Sequence, residues 1–313
     1  MNTPVADAHV DVLWRMERGD GEFYGDSPLQ AAWEKLRTGG VKSQVFALFT
    51  SPIAPGNQQL YNVLAQIDLF FAKVASPKRV RFIGDRQDYQ LAVRGDEIAG
   101  FLSLEGAGCL LGQTSVLRML FKLGVRGVGL TWNRANELAD GCLEPRQAGL
   151  TQAGRDVVME MQRLGMWIDI AHLAQAGVRD IFHLTDGVVM ASHANARSVH
   201  SHPRNLPDDV IRELIRRGGW MGLTFEASFL SDRGASIDDA FRHLDHVLNL
   251  GGEDLVGLGS DFDGTSHAVS GLSDAADYKN FAEQLVHRYG RQLAAKVLYQ
   301  NFDRFVQRVL PDP

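Results

Sequence analysis

Residues 98–106 run Ile98-Ala99-Gly100-Phe101-Leu102-Ser103-Leu104-Glu105-Gly106. No charge interrupts the run until Glu105, which is how a strand buried on both faces of a parallel sheet reads. Seven similar runs flank it: Val5–Asp11, Val41–Phe49, Val125–Trp132, Met166–His172, Gly187–His193, Trp220–Phe225 and Leu255–Asp261. Helical patterns separate them at Pro28–Arg37, Asn57–Ala75, Arg86–Arg94, Ser115–Leu123, Thr151–Leu164, Ala174–Leu184, Pro207–Arg217 and Ile237–Leu250. Such alternation implies parallel strands with right-handed crossovers, and eight units favour a closed α/β fold, the (β/α)8 TIM barrel, over an open sheet. Patterns at Ala275–Tyr289, Gly290–Tyr299 and Asn301–Val309 predict additional C-terminal helices. No repeat, linker or composition shift divides the chain, so residues 1–313 are expected to form one barrel domain.

Composition narrows the function. The 313 residues are 45% hydrophobic and 22% charged, which excludes low-complexity disorder. Lys and Arg number 32 against 38 Asp and Glu, a net charge of −6, and no stretch concentrates cations as phosphate neutralisation requires. No nucleic-acid partner is expected. The densest basic run, Lys78-Arg79-Val80-Arg81, reads as a solvated approach to a strand. Cys109 and Cys142 stand outside any C-x-x-C pair and read as reduced thiols, which fits a cytoplasmic compartment. Met1–Trp14 has no basic or apolar leader region, and no apolar run approaches the ~18 residues of a spanning helix, so no membrane association is expected.

Five of the eight runs end in residues that a buried strand should not carry: His9 and Asp11, Glu105, His172, His193 and Asp261. In a barrel those ends form the rim where the chemistry is kept. Period-2 alternation sends His9 and Asp11 to one face, with Asp7 a step behind them and Val10 turned toward the helices. Imidazole beside carboxylate suits a divalent cation such as zinc. Together the six residues would place two cations about 3.5–4 Å apart, with Asp261 as general base toward a water and acid toward the leaving amine. Asp263 reads as a turn aspartate.

In this order and spacing, Asp7-Ala8-His9-Val10-Asp11, Ser103-Leu104-Glu105-Gly106, Asp169-Ile170-Ala171-His172, Ala191-Ser192-His193, Pro203-Arg204-Asn205-Leu206-Pro207-Asp208-Asp209 and Gly259-Ser260-Asp261-Phe262-Asp263-Gly264 resemble the membrane (renal) dipeptidase family of the metal-dependent amidohydrolase-like barrels. The resemblance implies a binuclear zinc dipeptidase, often tolerant of a D-residue at the C-terminal position. By position it implies two Zn2+ per chain, His9 and Asp11 holding one, His172 and His193 the other, and Glu105 bridging them. Asp261 would be the catalytic acidic residue, and Arg204 would bind the free carboxylate of a dipeptide substrate.

One departure concerns the substrate. Better-known members carry a histidine in a Leu-Thr-His context, where this chain reads Leu130-Thr131-Trp132-Asn133. Trp132 would then narrow the pocket, and Asn133 would supply a donor to the oxyanion, though a continuing strand would let only one of the two face the axis. Neither the secretion signal nor the membrane anchor of the animal enzymes is expected here. His200, His202 and His267 read as solvated loop residues, the helix-borne His183, His243, His246 and His287 as surface or packing residues, and Trp167 and Trp220 as core. The alternatives are another amide or ester hydrolase on the same centre, acting on acyl-amino acids or lactones, and a silent barrel used for binding. The oligomeric state is left open, with a homodimer as the candidate.

Overall fold

The computed structural model describes residues 3–265 and 267–312. Met1, Asn2, Ser266 and Pro313, which include both ends of the expected 1–313 domain, lie outside the described residues. Among the described residues nine strands form: β1 (Val5–Val10), β2 (Val41–Phe49), β3 (Val80–Phe82), β4 (Ile98–Glu105), β5 (Val125–Gly129), β6 (Trp167–Asp169), β7 (Val189–Ala191), β8 (Trp220–Leu223) and β9 (Val256–Leu258). All pair in parallel, and the order β2-β1-β9-β8-β7-β6-β5-β4 returns from β4 to β2. The eight anticipated runs are therefore the staves of a closed barrel. The unanticipated β3 has three residues and pairs with β4 at Ile98–Gly100, ahead of the point where β5 joins at Leu102. Three residues are too few to carry a period, but the basic run does lead into a strand as expected.

Helices α4 (Arg86–Arg94), α5 (Thr114–Lys122), α6 (Gln152–Leu164), α7 (Gln175–Leu184), α8 (Asp208–Arg217) and α10 (Ile237–Asn249) fill the expected crossovers. Helix α2 (Trp33–Thr38) starts later than its pattern, because the amides of Gln30 and Ala31 donate to the Asp263 carboxylate at 2.7 and 2.9 Å and hold a loop there. That makes Asp263 the turn aspartate it was read as. Helix α3 (Gly56–Leu69) runs on into a π-helical turn at Phe70–Val74, and α11 (Tyr278–Ala295), kinked at Gly290, leads to α12 (Asn301–Val309). Two short helices were not foreseen: α1 (Val12–Glu17) directly after β1, and α9 (Ala227–Leu230) after β8.

Alternation along β4 sends Ala99 and Phe101 inward and Ile98, Leu102 and Leu104 into the layer beneath the helices. Inside, Ala6, Val45, Phe101, Trp167, Met190 and Trp220 pack against Phe302 and Phe305 of α12, so the C-terminal helix plugs the end where the strands begin. The two tryptophans are core, as expected. Gly127 leaves room for the Trp167 indole, and Gly222 and Gly257 for that of Trp220; a Cβ at any of the three would collide with a ring. One end is therefore filled with apolar side chains, and the chemistry is left to the other.

Candidate metal centre

Strand β1 does not alternate regularly. Asp7 pairs with Gln44 but Val10 with Phe46, so one extra residue bulges from β1 between them. This corrects the placement of Asp7 on the face of His9. Its carboxylate accepts from Ser260 N–H (2.9 Å), Ser260 Oγ (2.7 Å) and Tyr278 Oη (2.8 Å), which ties β1 to the segment after β9 and to α11. His9 is released inward. Val10 stays in the outer core, as expected.

The remaining candidates lie at or just past the strand ends. Asp11, His172, His193 and Asp261 follow β1, β6, β7 and β9, and Glu105 is the last residue of β4. His172 and Asp261 adopt φ of 65° and 67°, a left-handed conformation costly for residues with a Cβ, which turns each chain sharply at the mouth.

These turns bring six side chains together. Glu105 Oε1 lies 2.9 Å from His172 Nε2 and 3.5 Å from His193 Nε2, while its Oε2 lies 3.5 Å from His9 Nε2. His172 Nε2 and His193 Nε2 face each other at 2.9 Å. On the other flank His9 Nε2 is 3.5 Å from Asp11 Oδ2 and 4.0 Å from Asp261 Oδ1. Two overlapping groups, His9–Glu105–His193 and His9–Asp11–Asp261, each converge closely enough to hold an ion. Among the described residues, His9 Nε2 and Asp11 Oδ1 are buried without a hydrogen-bond partner. Buried polar atoms are rarely left so, and nitrogen and oxygen donors aimed at a common point are what a divalent cation would satisfy. The residues fit a metal.

Charge in the cluster is strongly perturbed. Burial pushes His172 down to about 3, helped by the Arg204 guanidinium, and burial with His9 and Arg204 nearby holds His193 well below its usual range. Both rings are therefore neutral, the form that ligates. Burial would lower His9 as well, but Glu105 and Asp11 override it and raise it well above 6.5. Glu105, despite its burial, is held far below the usual carboxylate range by His9 and His172. Burial and the neighbouring Asp11 and Glu105 push Asp261 well above its ordinary value, so it is poised to carry a proton.

A supporting layer orients these groups. Asn133 Oδ1 lies 2.8 Å from His172 Nδ1, and since an amide oxygen only accepts, that nitrogen carries the proton and leaves Nε2 its lone pair. Ser192 Oγ lies 2.7 Å from His193 Nδ1. Arg204, buried, donates through Nη2 to the His193 carbonyl at 3.1 Å and stacks its guanidinium over Phe229 at 5.3 Å. Its Nε has no hydrogen-bond partner among the described residues. His202 stacks on the same Phe229 ring (4.5 Å) and accepts from the Arg204 amide, so it is more than a solvated loop residue.

Above the cluster lies a pocket of about 370 Å³ lined by Asp11, Glu105, His172 and Asp261 below and by aromatic rings around them. Because β5 stops at Gly129, both Trp132 and Asn133 line it, and the alternation that would have chosen between them does not apply. His9, His193 and Arg204 sit one step behind this wall. Five wall residues were missed in the sequence: Trp14, Phe49, Glu226, Ser228 and Phe229. Trp14 and Phe229 stand on the two unforeseen short helices, Phe49 reads as a strand end, and Glu226 follows its strand without a motif. His267, read as solvated, also lines the rim but is largely exposed.

A closed (β/α)8 barrel with a histidine–carboxylate cluster at the C-terminal mouth is the architecture of the metal-dependent barrel hydrolases. The chain belongs to the membrane dipeptidase family (peptidase family M19), whose model matches residues 1–310. It is 33% identical over 290 residues to dipeptidase aclJ of Aspergillus oryzae, covering 85% of this chain and 66% of that protein, so it spans just under two thirds of that relative's length. Among solved structures it resembles dipeptidase AC, a metallopeptidase of the same family (TM-score 0.91, 27% identity, 99% of both chains). It also resembles a metallopeptidase from Rhodobacter sphaeroides bound to a phosphinate mimic of the dipeptide L-Ala-D-Ala (TM-score 0.90, 26% identity, 99% of this chain and 100% of that one). No helix of the described residues is long and apolar enough to cross a membrane.

Proposed function

We propose that this chain is a binuclear zinc dipeptidase, working as one barrel domain in the cytoplasm, that hydrolyses dipeptides, including those with a D-residue at the C-terminal position. The observation that carries this reading is the division of Glu105, one oxygen toward His172 and His193 and the other toward His9. His172 and His193 would hold one zinc, His9 and Asp11 the other, with Glu105 between them. Zinc bound there would polarise the scissile carbonyl and lower the pKa of a water toward neutrality.

The protein's own groups supply the rest. Asp261, beside His9 and Asp11, takes a proton at its carboxylate from the attacking water and returns it to the leaving amine. Arg204 offers an unpaired Nε–H next to the pocket for the substrate's free carboxylate. Trp132 packs against Phe49 at 5.5 Å and narrows the space for substrate side chains, and Asn133 holds His172. The D-residue part of the reading is supported by the L-Ala-D-Ala mimic in the Rhodobacter relative. The cytoplasmic part is supported by Cys109 and Cys142, both buried and free.

The test is a hydrolysis screen of L,L and L,D dipeptides with zinc-loaded protein, alongside acylated amino acids and lactones. Cleavage of dipeptides, L,D pairs among them, is expected. Cleavage of only the acylated amino acids or lactones would contradict the reading.

A further inference from the structure

Glu226 is a carboxylate that the proposed chemistry does not use. It follows β8, lines the pocket, and its side chain is 8% exposed, close to the 9% of Glu105. Yet among the described residues it belongs to neither of the groups close enough to hold an ion. Asp11, Glu105 and Asp261 face the cation positions; Glu226 lines the pocket wall away from them, with His267 Nδ1 3.9 Å from its Oε1. Its Oε1 is fixed by Ser228, which donates from N–H (3.2 Å) and Oγ (2.8 Å), so the carboxylate is preset where the wall turns into α9.

Its neighbours say which part of a substrate would meet it. Phe229 lies one turn further along α9, its amide donating to the Glu226 carbonyl at 3.0 Å, and the Arg204 guanidinium stacks on the Phe229 ring. Arg204, behind the wall, thus backs the same flank of the pocket that Glu226 lines. In the proposed function Arg204 takes the free carboxylate, so the side chain on that flank belongs to the C-terminal residue. A buried carboxylate beside an aromatic surface suits a long apolar stem ending in a cation: the stem lies on the rings and the charge meets the carboxylate. At the Trp14 wall the reverse holds, since Arg15 and Arg18 already sit over that indole at 5.7 and 5.1 Å.

We propose that Glu226 is a specificity-determining residue that selects dipeptides with a basic C-terminal side chain, lysine or arginine. This rests on the dipeptidase reading above. The test uses Glu226→Gln, which keeps the oxygen that Ser228 binds and removes only the charge. Alanyl-lysine and alanyl-arginine are compared with alanyl-alanine, alanyl-methionine and lysyl-alanine as L,L and L,D pairs, on zinc-loaded protein, by kcat/KM and by calorimetric binding. In the native protein the basic C-terminal pairs are preferred, and in Glu226→Gln the ratio of basic to neutral kcat/KM falls at least tenfold, mostly through KM. An unchanged ratio, or a loss confined to lysyl-alanine, would overturn the assignment. A protein that turns over no dipeptide would contradict the dipeptidase reading, and the same panel's binding ratio would still decide the role of Glu226.

Discussion

Asn133 Oδ1 lies 2.8 Å from His172 Nδ1, so the amide oxygen of the residue expected to meet the substrate's oxyanion orients the ring of a candidate metal ligand. Partners of this kind fix a ligand's tautomer, and their loss typically costs 10–100-fold in metal affinity. Asn133→Ala is therefore expected to weaken binding of the zinc that His172 and His193 would hold by about that factor, measured by competition with a chelator. Most of the lost turnover should return at saturating zinc. Unaltered metal affinity together with a kcat deficit of roughly 10²-fold that zinc does not repair would instead assign Asn133 the oxyanion role, through its Nδ2–H.

Asp261 makes a complementary case. Asp261→Asn keeps the shape and an oxygen near His9 but removes the proton acceptor. Turnover should fall by at least ~10²-fold with metal content largely retained. Near-normal turnover in this variant would remove Asp261 from proton transfer.

Much of this arrangement is legible in the sequence, and the reason is physical. A strand buried on both faces, such as β4, cannot carry a carboxylate without a purpose, so Glu105 stands out against Ile98–Leu104. His172, His193 and Asp261 stand out in the same way at the ends of their runs. Asp7 was misplaced because a bulge leaves the alternation of residue types intact while shifting the faces they point to. Trp14, Phe229 and Glu226 were missed because α1 and α9, six and four residues long, are too short for a helical period. The aromatic wall around the cluster exists only once those short helices have folded over the mouth.

Away from the centre, His243 on α10 accepts from the Ala196 amide through Nδ1 at 3.0 Å and is wholly buried. Burial pushes it down to about 4 from an ordinary 6.5. The unfolded chain therefore takes up a proton at His243 before the folded one does, and stability falls as pH drops from 6.5 through about 4. At about 1.4 kcal/mol per pH unit the loss approaches ~3 kcal/mol. His243→Asn, whose Oδ1 can accept from the same amide, should flatten that part of the stability–pH curve in chemical denaturation. An identical slope in both proteins would show that His243 does not drive it.

Glu105 is placed to divide its two oxygens between two ions, one near His172 and His193 and one near His9. Elemental analysis of protein purified without chelator, and again after chelation and reloading with zinc, tests it most directly. About two divalent ions per chain are expected in the native and reloaded protein, with peptidase activity lost on removal and regained on reloading. Glu105→Gln should leave at most one. A native protein that holds a single ion per chain at full activity, or none, would contradict it.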